Sequence, residues 1–250
     1  MTLGEWLRLE PYTLGLSSGF FGFFAHAGFL KALEEQEVLP TRVSGSSAGA
    51  LVAGVWASGR SMGDLTASLF AIERSDFWDP APGFGLLKGK LFESLLKDFL
   101  LVRTFEDCSI PVSISIFDLL GLRTRVLTKG SLVRAIRASC CFPGLFHPVQ
   151  VDGRWSIDGG VLDRPGLAGV QENERILYHH LNSRSSLRKH MASLTGVPAR
   201  SNMMSVCLEG LPRLGPNRLE SGQQAYEQAY AKTLVALKQP VDLKKPIIRV

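Results

Sequence analysis

Apolar residues along the first sixty positions change their spacing in a way that predicts two strands, each followed by a helix. The run YTLGLS at 12–17 is short, continuous and apolar, as is typical of a buried strand. Residues 23–37 then show helical spacing, and TRVSGSSAG at 41–49 predicts a second strand that ends in small residues before an apolar helix at 50–58. The expected core-facing positions of the first helix are Phe23, Ala27, Leu30 and Leu33.

The same alternation continues along the rest of the chain. We predict strands at 110–119 and 124–130, a Ser-capped helix at 131–140, a hairpin at 146–160 that turns at Asp152 and Gly153, and a helix at 221–238. Because strands alternate with helices, the sequence predicts an α/β fold, a three-layer sandwich around a mostly parallel central sheet. We expect a single domain over 1–250.

Composition narrows the class of protein. The chain has 250 residues, 45% hydrophobic and 20% charged, which is typical of a globular protein with one large core. The longest apolar run, at 20–30, is shorter than the ~20 residues that a membrane span needs. Glu5 and Glu10 argue against a secretory leader. The four cysteines form no CxxC pair, so we expect a reducing cytoplasm.

Basic charge is concentrated near the end of the chain, within an overall net charge of +5. Residues 182–200 carry no acid and many serines, which predicts a basic loop. The plain interpretation is a solvated loop, and the alternative is contact with an anionic membrane surface. Basic and aromatic residues are not interleaved as in nucleic-acid sites, so no nucleic-acid partner is expected.

The segment GSSAG, from Gly45 to Gly49, fits the G-x-S-x-G pattern between a predicted strand and a predicted helix. The glycines allow a turn so sharp that side chains at their positions would clash, and the turn presents Ser47 above a helix N-terminus. The plain alternative is a small-residue connection without chemistry. The strand and helix on either side favour Ser47 as a nucleophile.

A second glycine-containing loop, SSGFFG at 17–22, lies between the first strand and its helix. One interpretation is a dinucleotide loop, but such a loop needs an acidic residue at the end of the next strand, where this chain has Gly45, Ser46 and Ser47. The other interpretation is an oxyanion hole, in which backbone N–H groups stabilise the charge that develops on an attacked ester carbonyl. Its candidate donors are Ser18, Gly19 and Phe20.

The third motif is DGG, from Asp158 to Gly160, which on its own is a common turn sequence. Together, the loop SSGFFGFFAHAGFLKALEE, the elbow GSSAG and the DGG motif resemble the patatin-like phospholipases, or lipid acyl hydrolases, a family related to the α/β-hydrolases. The resemblance covers a motif-bearing core at about 12–165. The motif glycines that it matches are Gly22, Gly45, Gly49, Gly159 and Gly160.

This resemblance implies a Ser/Asp dyad, with Ser47 as nucleophile and Asp158 as the residue that activates it. It also implies an acyl-enzyme, release of a free fatty acid, and no cofactor or metal. The expected substrates are phospholipids or other glycerolipids at a membrane surface, with peripheral membrane contact. The oligomeric state is not predicted.

Histidines offer an alternative mechanism. The order Ser47, Asp158, then His179 or His180 matches the Ser, Asp, His order of a triad esterase. Both histidines lie at the end of an apolar strand-like run, where structural histidines are common, and the dyad is favoured. His26 and His147 are expected to be structural, with His26 hydrogen-bonded in the core.

The chain departs from the family pattern at two loop positions. Ser17 stands where the first glycine is expected, and Phe21 where the family often has Arg or Lys. A serine at positive φ is strained, so Ser17 is expected either to be extended or to strain the loop. These changes motivate an alternative function, a catalytically weak lipid-binding or regulatory protein on the same scaffold.

Residues 83–100 suit an amphipathic helix near the mouth of a site, with Leu91, Leu95 and Phe99 on one face. An ordinary core-facing helix is the plain alternative. Lys88, Lys90 and Lys97 are expected elsewhere on the helix surface.

Overall fold

The computed structural model describes residues 1–182 and 196–250. Its helices are α1 (Leu3–Leu9), α2 (Phe23–Glu35), α3 (Ala48–Ala57), α4 (Met62–Phe70), α5 (Lys90–Phe99), α6 (Leu132–Ser139) and α7 (Gly222–Leu237). Its strands are β1 (Thr13–Leu16), β2 (Arg42–Ser46), β3 (Gly85–Leu87), β4 (Val112–Asp118), β5 (Arg123–Leu127), β6 (Gly144–Phe146), β7 (Val149–Val151), β8 (Arg154–Asp158), β9 (Ile176–His180), β10 (Met203–Cys207) and β11 (Ile247–Arg249).

In the described part of the chain, the central sheet has nine strands in the order β11-β10-β9-β1-β2-β4-β8-β7, and β5 pairs with β4 outside this path. Neighbours from β11 to β4 are parallel, whereas β5, β8 and β7 join antiparallel. The predicted α/β three-layer architecture with a mostly parallel sheet is confirmed. The predicted hairpin is also confirmed, since Asp152 and Gly153 form its turn with φ of 51° and 74°.

Parallel strands in this sheet are buried on both faces, as the fully buried patterns of β1, β9 and β10 show. The principal core lies on the side of the sheet covered by α2 and α3, and it includes Leu14, Leu30, Val43 and Val52. A smaller cluster forms around Tyr178 and Leu167, where the segment after β8 returns over the sheet. Within the described ranges, no helix combines the length and apolar character that a bilayer span requires.

The junction along β4 positions the candidate site. Val112–Ser115 of β4 pair with β2 in parallel, and Ile116–Asp118 pair with β8 antiparallel. Because β5 occupies the other edge of β4 from Ile114 onward, β8 continues the line of β2 beyond its end. The carboxyl ends of β2 and β8 therefore meet at consecutive positions of β4.

The segment 83–100 is not one helix, because Gly85–Leu87 form strand β3, which pairs with β6. Gly89 takes φ 73° and α5 begins after it, with the Asp79 carboxylate accepting the N–H groups of Lys90 and Leu91. This carboxylate satisfies helix donors that otherwise have no partner.

The predicted face of this helix is wrong at one position. Leu95 and Phe99 do pack against the core, but Leu91 is 41% exposed. The inward-facing row runs through Phe92 instead, three residues before Leu95, because positions three and four apart share one side of a helix.

His147 follows β6, with Nε2 at 3.3 Å from the Ala81 carbonyl, in the structural role expected for it.

Candidate active site

Ser47 occupies a sharp turn between β2 and α3, as predicted. Its backbone takes φ 54° and ψ −122°, outside both regular structures that it joins. A Cβ at Gly45 would lie 2.5 Å from the Gly49 carbonyl carbon, and one at Gly49 would lie 2.1 Å from the Leu16 carbonyl oxygen. Only glycine fits at these two positions, and this geometry projects the Ser47 hydroxyl from the end of the strand.

Asp158 lies at the carboxyl end of β8, directly opposite this turn. The Ser47 hydroxyl donates to Asp158 Oδ2 at 2.6 Å, and the Gly160 N–H donates to Oδ1 at 2.8 Å. Asp158 is 4% exposed, so this hydrogen bond is shielded from bulk water. A buried carboxylate held at one oxygen by the backbone presents its other oxygen to the serine in a fixed direction.

Gly159 makes this approach possible. A Cβ at Gly159 would lie 2.1 Å from the Ser115 carbonyl oxygen and 2.8 Å from Ser46 Oγ. A Cβ at Gly160 would lie 2.3 Å from Ser18 Oγ. Both glycines of the DGG motif are therefore required because neighbouring segments approach them closely, at β2 and β4 for Gly159 and at the loop at 17–22 for Gly160. This requirement is separate from the turn that DGG forms.

Two residues that the sequence did not single out support the serine. Ser139, the last residue of α6, accepts the Ser47 N–H at 2.9 Å and donates to the Ser115 carbonyl at 2.7 Å. The Cys140 thiol donates to the Ser47 carbonyl at 3.1 Å. Both contacts hold the strained backbone of the turn. In the sequence, the only indication of this role is that Ser139 and Cys140 are small polar residues at the end of a predicted helix. Such a pattern is too common to identify a contact with Ser47.

In the loop at 17–22, the positive φ lies at a residue other than Ser17. Ser17 is not at positive φ, and its hydroxyl accepts the Leu181 N–H at 2.9 Å, so it serves as a buried connection to the strand end. Phe21 carries the positive φ instead, at 54°. Its ring packs against Phe20 and Phe77, with centroids 4.9 Å and 5.9 Å away. These contacts offset the backbone strain.

The three expected N–H donors of this loop are not equivalent. The Ser18 N–H donates to the Arg164 carbonyl at 2.7 Å, which engages it within the fold and corrects its expected role. The N–H groups of Gly19 and Phe20 make no hydrogen bond to any described residue. Gly22 closes the loop by donating to the Gly19 carbonyl at 3.0 Å. Two donors are therefore available to a bound oxyanion.

The histidines considered for a triad lie away from the Ser47–Asp158 pair. His26 and His179 are fully buried, with their Nδ1 atoms 2.9 Å apart, and His26 Nε2 donates to the Ser17 carbonyl at 2.7 Å. His180 Nδ1 lies 3.1 Å from the Tyr178 hydroxyl. Neither His179 nor His180 hydrogen-bonds to Ser47 or Asp158. His26 is the hydrogen-bonded core histidine that was predicted.

These contacts determine the tautomers of the neutral rings. Since His26 donates through Nε2, its Nδ1 must accept, and His179 Nδ1 must donate to it. The other His179 nitrogen, Nε2, is buried without a hydrogen-bond partner among the described residues. Burial lowers the pKa of His26 and of His180 to about 4, and it lowers that of His179 well below its ordinary value.

A cavity of about 1110 Å³ opens beside Ser47 and Asp158. Its apolar lining comes from the loop at 17–22, the inner face of α5 and neighbouring segments, and includes Phe21, Phe77, Phe92, Leu95, Phe99 and Phe146. Such a cavity can hold a flexible hydrocarbon chain next to the Ser47 hydroxyl. In residues 1–182 and 196–250, no three His, Cys, Asp or Glu side chains converge as metal ligands.

Sequence similarity to known proteins covers the part of the chain that holds Ser47 and Asp158. The profile of the family described as patatin-like phospholipase matches residues 14–169. An uncharacterised NTE family protein of Mycobacterium tuberculosis is 35% identical over 160 residues, covering 63% of this chain and 44% of the relative. The neuropathy target esterase sws of Drosophila melanogaster is 28% identical over 172 residues, covering 64% of this chain and 12% of the relative. The chain thus matches less than half the length of these relatives.

Solved structures share the fold at low sequence identity. VipD from Legionella pneumophila superposes with a TM-score of 0.64 at 16% identity, over 91% of this chain and 67% of that protein. The type III effector ExoU of Pseudomonas aeruginosa superposes with a TM-score of 0.50 at 16% identity, over 92% of this chain and 54% of that protein.

Proposed function

Because the chain belongs to the patatin-like phospholipase family, we propose that it is a serine acyl hydrolase that cleaves fatty-acyl esters of phospholipids or other glycerolipids. The observation that carries this proposal is the 2.6 Å hydrogen bond from Ser47 to a buried Asp158 beside an apolar cavity. The esterase named among the relatives supports the same class of reaction.

In the proposed acylation step, Ser47 Oγ attacks the ester carbonyl carbon and its proton passes to Asp158 Oδ2. The carbonyl oxygen becomes an oxyanion, which accepts hydrogen bonds from the N–H groups of Gly19 and Phe20. Collapse of the tetrahedral intermediate breaks the bond to the alcohol, which leaves with the proton from Asp158. The acyl group remains as an ester of Ser47.

Deacylation repeats these transfers with water. A water molecule attacks the acyl carbon and gives its proton to Asp158, and the tetrahedral intermediate again places its charge at the loop. Ser47 Oγ then leaves, recovers the proton from Asp158, and a free fatty acid is released. The cycle needs no cofactor and regenerates both residues.

A carboxylate is a weak base toward a hydroxyl, since an unperturbed Asp has a pKa of about 3.9. The oxyanion donors must therefore supply much of the rate enhancement, at about 10²–10³ for each donor of this type. The fixed geometry of Asp158 contributes as well, because it removes the cost of orienting the base.

The apolar cavity supports a long-chain acyl group as the substrate portion next to Ser47. Its volume of about 1110 Å³ slightly exceeds the range of roughly 300–1,000 Å³ that is usual for small-molecule pockets. We place the enzyme in a reducing cytoplasm, at a membrane surface that supplies the lipid. The four cysteines are free thiols, in keeping with that compartment.

A fluorophosphonate probe tests the nucleophile directly. We expect labelling of the wild-type protein and none of Ser47→Ala, with loss of hydrolysis for both short and long acyl esters. If the wild-type protein is not labelled and does not hydrolyse esters, yet still binds lipid vesicles, it is instead a lipid-binding protein on the same scaffold.

The dyad is tested with Asp158→Asn against a double variant, His179→Ala with His180→Ala. We expect Asp158→Asn to abolish ester hydrolysis, and any residual activity of the histidine variant to scale with its folded fraction, measured by circular dichroism. Activity kept in Asp158→Asn but lost in a folded histidine variant would refute the dyad.

A further inference from the structure

Two hairpin tips project from the sheet end that carries Ser47, and both expose apolar side chains. We infer that they form the surface that docks on an anionic lipid bilayer. We call it the hairpin-tip surface, defined by Leu120, Leu122, Arg123, Arg154 and Trp155. This inference rests on the proposed lipid hydrolysis, because it names the surface through which the same site reaches its substrate.

The strand pairing brings the two tips together. Residues 119–122 connect β4 to β5, and residues 152–153 connect β7 to β8. Since β8 runs antiparallel to β4, both turns lie beyond the carboxyl end of β4, and the Leu119 N–H donates to the Trp155 carbonyl at 2.9 Å. The tips are therefore neighbours in one surface.

The apolar side chains of these tips are unusually open to solvent. Leu120 is 80% exposed, Leu122 is 73% exposed and Trp155 is 46% exposed. Single exposed apolar residues are ordinary, but neighbouring ones at protruding turns are typical of interaction sites. Leucine at a tip with an adjacent tryptophan suits a bilayer interface, where the leucine enters the hydrocarbon and the indole stays at the headgroup level.

Arginines border the apolar tips and favour a negatively charged surface. Arg123 forms no ion pair with any described residue, and the acid of the second turn, Asp152, is paired with Arg125 at 2.8 Å. Arg154 pairs with Asp118 at 3.0 Å, yet its side chain remains 51% exposed whereas that of Asp118 is fully buried. Cationic groups beside an apolar wedge are attracted to anionic headgroups within a Debye length.

The position of this surface connects it to the candidate active site. Strand β8 runs from Arg154 at the tip to Asp158 at the dyad, and Trp155 lies about 10 Å from Asp158 at ~3.3 Å per residue. The cavity mouth on the same edge also exposes Phe20, Phe142 and Val161. A bilayer held at the tips would therefore face the opening through which a lipid must enter.

The opposite end of the sheet supplies a matched control. Leu9 and Leu39 are 64% and 51% exposed, and they precede β1 and β2 at the amino ends of those strands. If vesicle binding were non-specific adsorption through any exposed leucine, Leu9 and Leu39 would contribute as much as the tip leucines. The proposed surface does not include them.

The test is co-sedimentation of the whole 250-residue chain carrying Ser47→Ala, which under the proposed function does not consume lipid, with phosphatidylcholine vesicles with or without phosphatidylserine. In this background we compare Leu120→Ser with Leu122→Asn against the control pair Leu9→Ser with Leu39→Asn. Asparagine is chosen because Leu122 takes φ 46°. We expect the tip variant to bind phosphatidylserine vesicles at least about tenfold more weakly, and the control pair to bind as the parent does.

Tryptophan fluorescence gives an independent measurement. Vesicles with phosphatidylserine should shift the emission of the parent protein to shorter wavelength, and Trp155→Phe should remove this shift. Equal vesicle binding by the tip variant and the control pair overturns the inference. So does concentration-dependent dimerisation without lipid that only the tip variant abolishes, because the surface would then bind a second copy.

Hydrolysis of a water-soluble short-chain ester by the wild-type protein separates this inference from the proposed function. Vesicle binding through the tips without ester hydrolysis would remove the enzymatic proposal alone. Hydrolysis with tip-independent vesicle binding would remove the docking surface alone.

Discussion

The Asp158 carboxylate accepts a hydrogen bond from the Ser47 hydroxyl at 2.6 Å, at the point where the antiparallel strand β8 meets the end of the parallel strand β2. The two residues are 111 positions apart in the chain. Their contact depends on how closely β8 can approach the turn after β2, and Gly159 sets that approach.

Gly159→Ala is expected to abolish ester hydrolysis, because its Cβ would lie 2.1 Å from the Ser115 carbonyl and would push Asp158 away from Ser47. Hydrolysis of a short-chain ester, with circular dichroism for folding, measures the effect. Gly63→Ala is the control. Gly63 lies in α4, and the nearest atom to its added Cβ would be Ser61 Oγ at 3.7 Å. It should keep full activity and raise stability by up to about 1 kcal/mol. Equal activity of both variants would contradict the role of Gly159.

Ser139→Ala should lower both stability and kcat. The variant leaves the Ser47 N–H and the Ser115 carbonyl without their bridge, and an unsatisfied buried group costs about 1–3 kcal/mol. Urea unfolding and steady-state kinetics measure the two effects. The matched control is Ser205→Ala, because the buried Ser205 hydroxyl has no hydrogen-bond partner among the described residues. A stability loss in Ser205→Ala as large as that in Ser139→Ala would refute the bridge.

Acid should destabilise the fold through its buried histidines. Burial holds the pKa of His26 and of His180 at about 4, below the ordinary value of about 6.5. The unfolded chain therefore binds more protons between these pH values, so stability is full above about pH 6.5 and falls as pH drops toward 4. Each histidine contributes at most about 1.4 kcal/mol per pH unit.

Urea unfolding midpoints between pH 7 and pH 5 check this slope. His26→Gln and His180→Gln each remove one of these titrating groups, so each variant should show a shallower loss of stability on acidification. A slope that both variants leave unchanged would show that other groups cause it. A stability that rises on acidification would give the opposite sign and reject the explanation.

Filling the cavity from α5 should shorten the preferred acyl chain. Leu95 lines the cavity, so Leu95→Trp should exclude the far end of a long chain. If about four methylenes at about 0.8 kcal/mol each lose their burial, kcat/KM for long esters falls roughly two hundredfold relative to short ones. The control is Leu91→Trp on the exposed side of the same helix. An identical chain-length profile for both variants would show that α5 does not line the acyl site.

The parts of the site that the sequence could predict are those set by local backbone demands. Gly45 is needed by the turn itself, because its Cβ would meet the Gly49 backbone, so a short pattern between a strand and a helix is sufficient to indicate Ser47. The same holds for the hairpin turn at Asp152. In both cases the residues that determine the geometry are adjacent in the chain. Gly49, in contrast, is needed where the turn meets Leu16 of β1.

The parts that could not be predicted depend on distant contacts. Ser139 reaches Ser47 across 92 positions, and the Ser18 N–H is engaged by the Arg164 carbonyl, which no local pattern reveals. Ser17 is not at positive φ, and its hydroxyl accepts the N–H of Leu181, a residue 164 positions away. The helical spacing of α5 was clear, but whether Leu91 or Phe92 shares the inner face with Leu95 depends on where the cavity lies.

The meeting of β2 and β8 on one edge of β4 also bears on when the protein becomes reactive. A chain emerging from the ribosome presents its serine turn long before Asp158 has been synthesised, and a one-residue slip of β8 would turn that carboxylate to the other face of the sheet. Long-range pairing of this kind forms slowly because of its loop-closure entropy. Under the proposed mechanism the Ser47–Asp158 pair forms only when β8 has paired with β4, so we expect probe labelling to return during refolding only after this pairing.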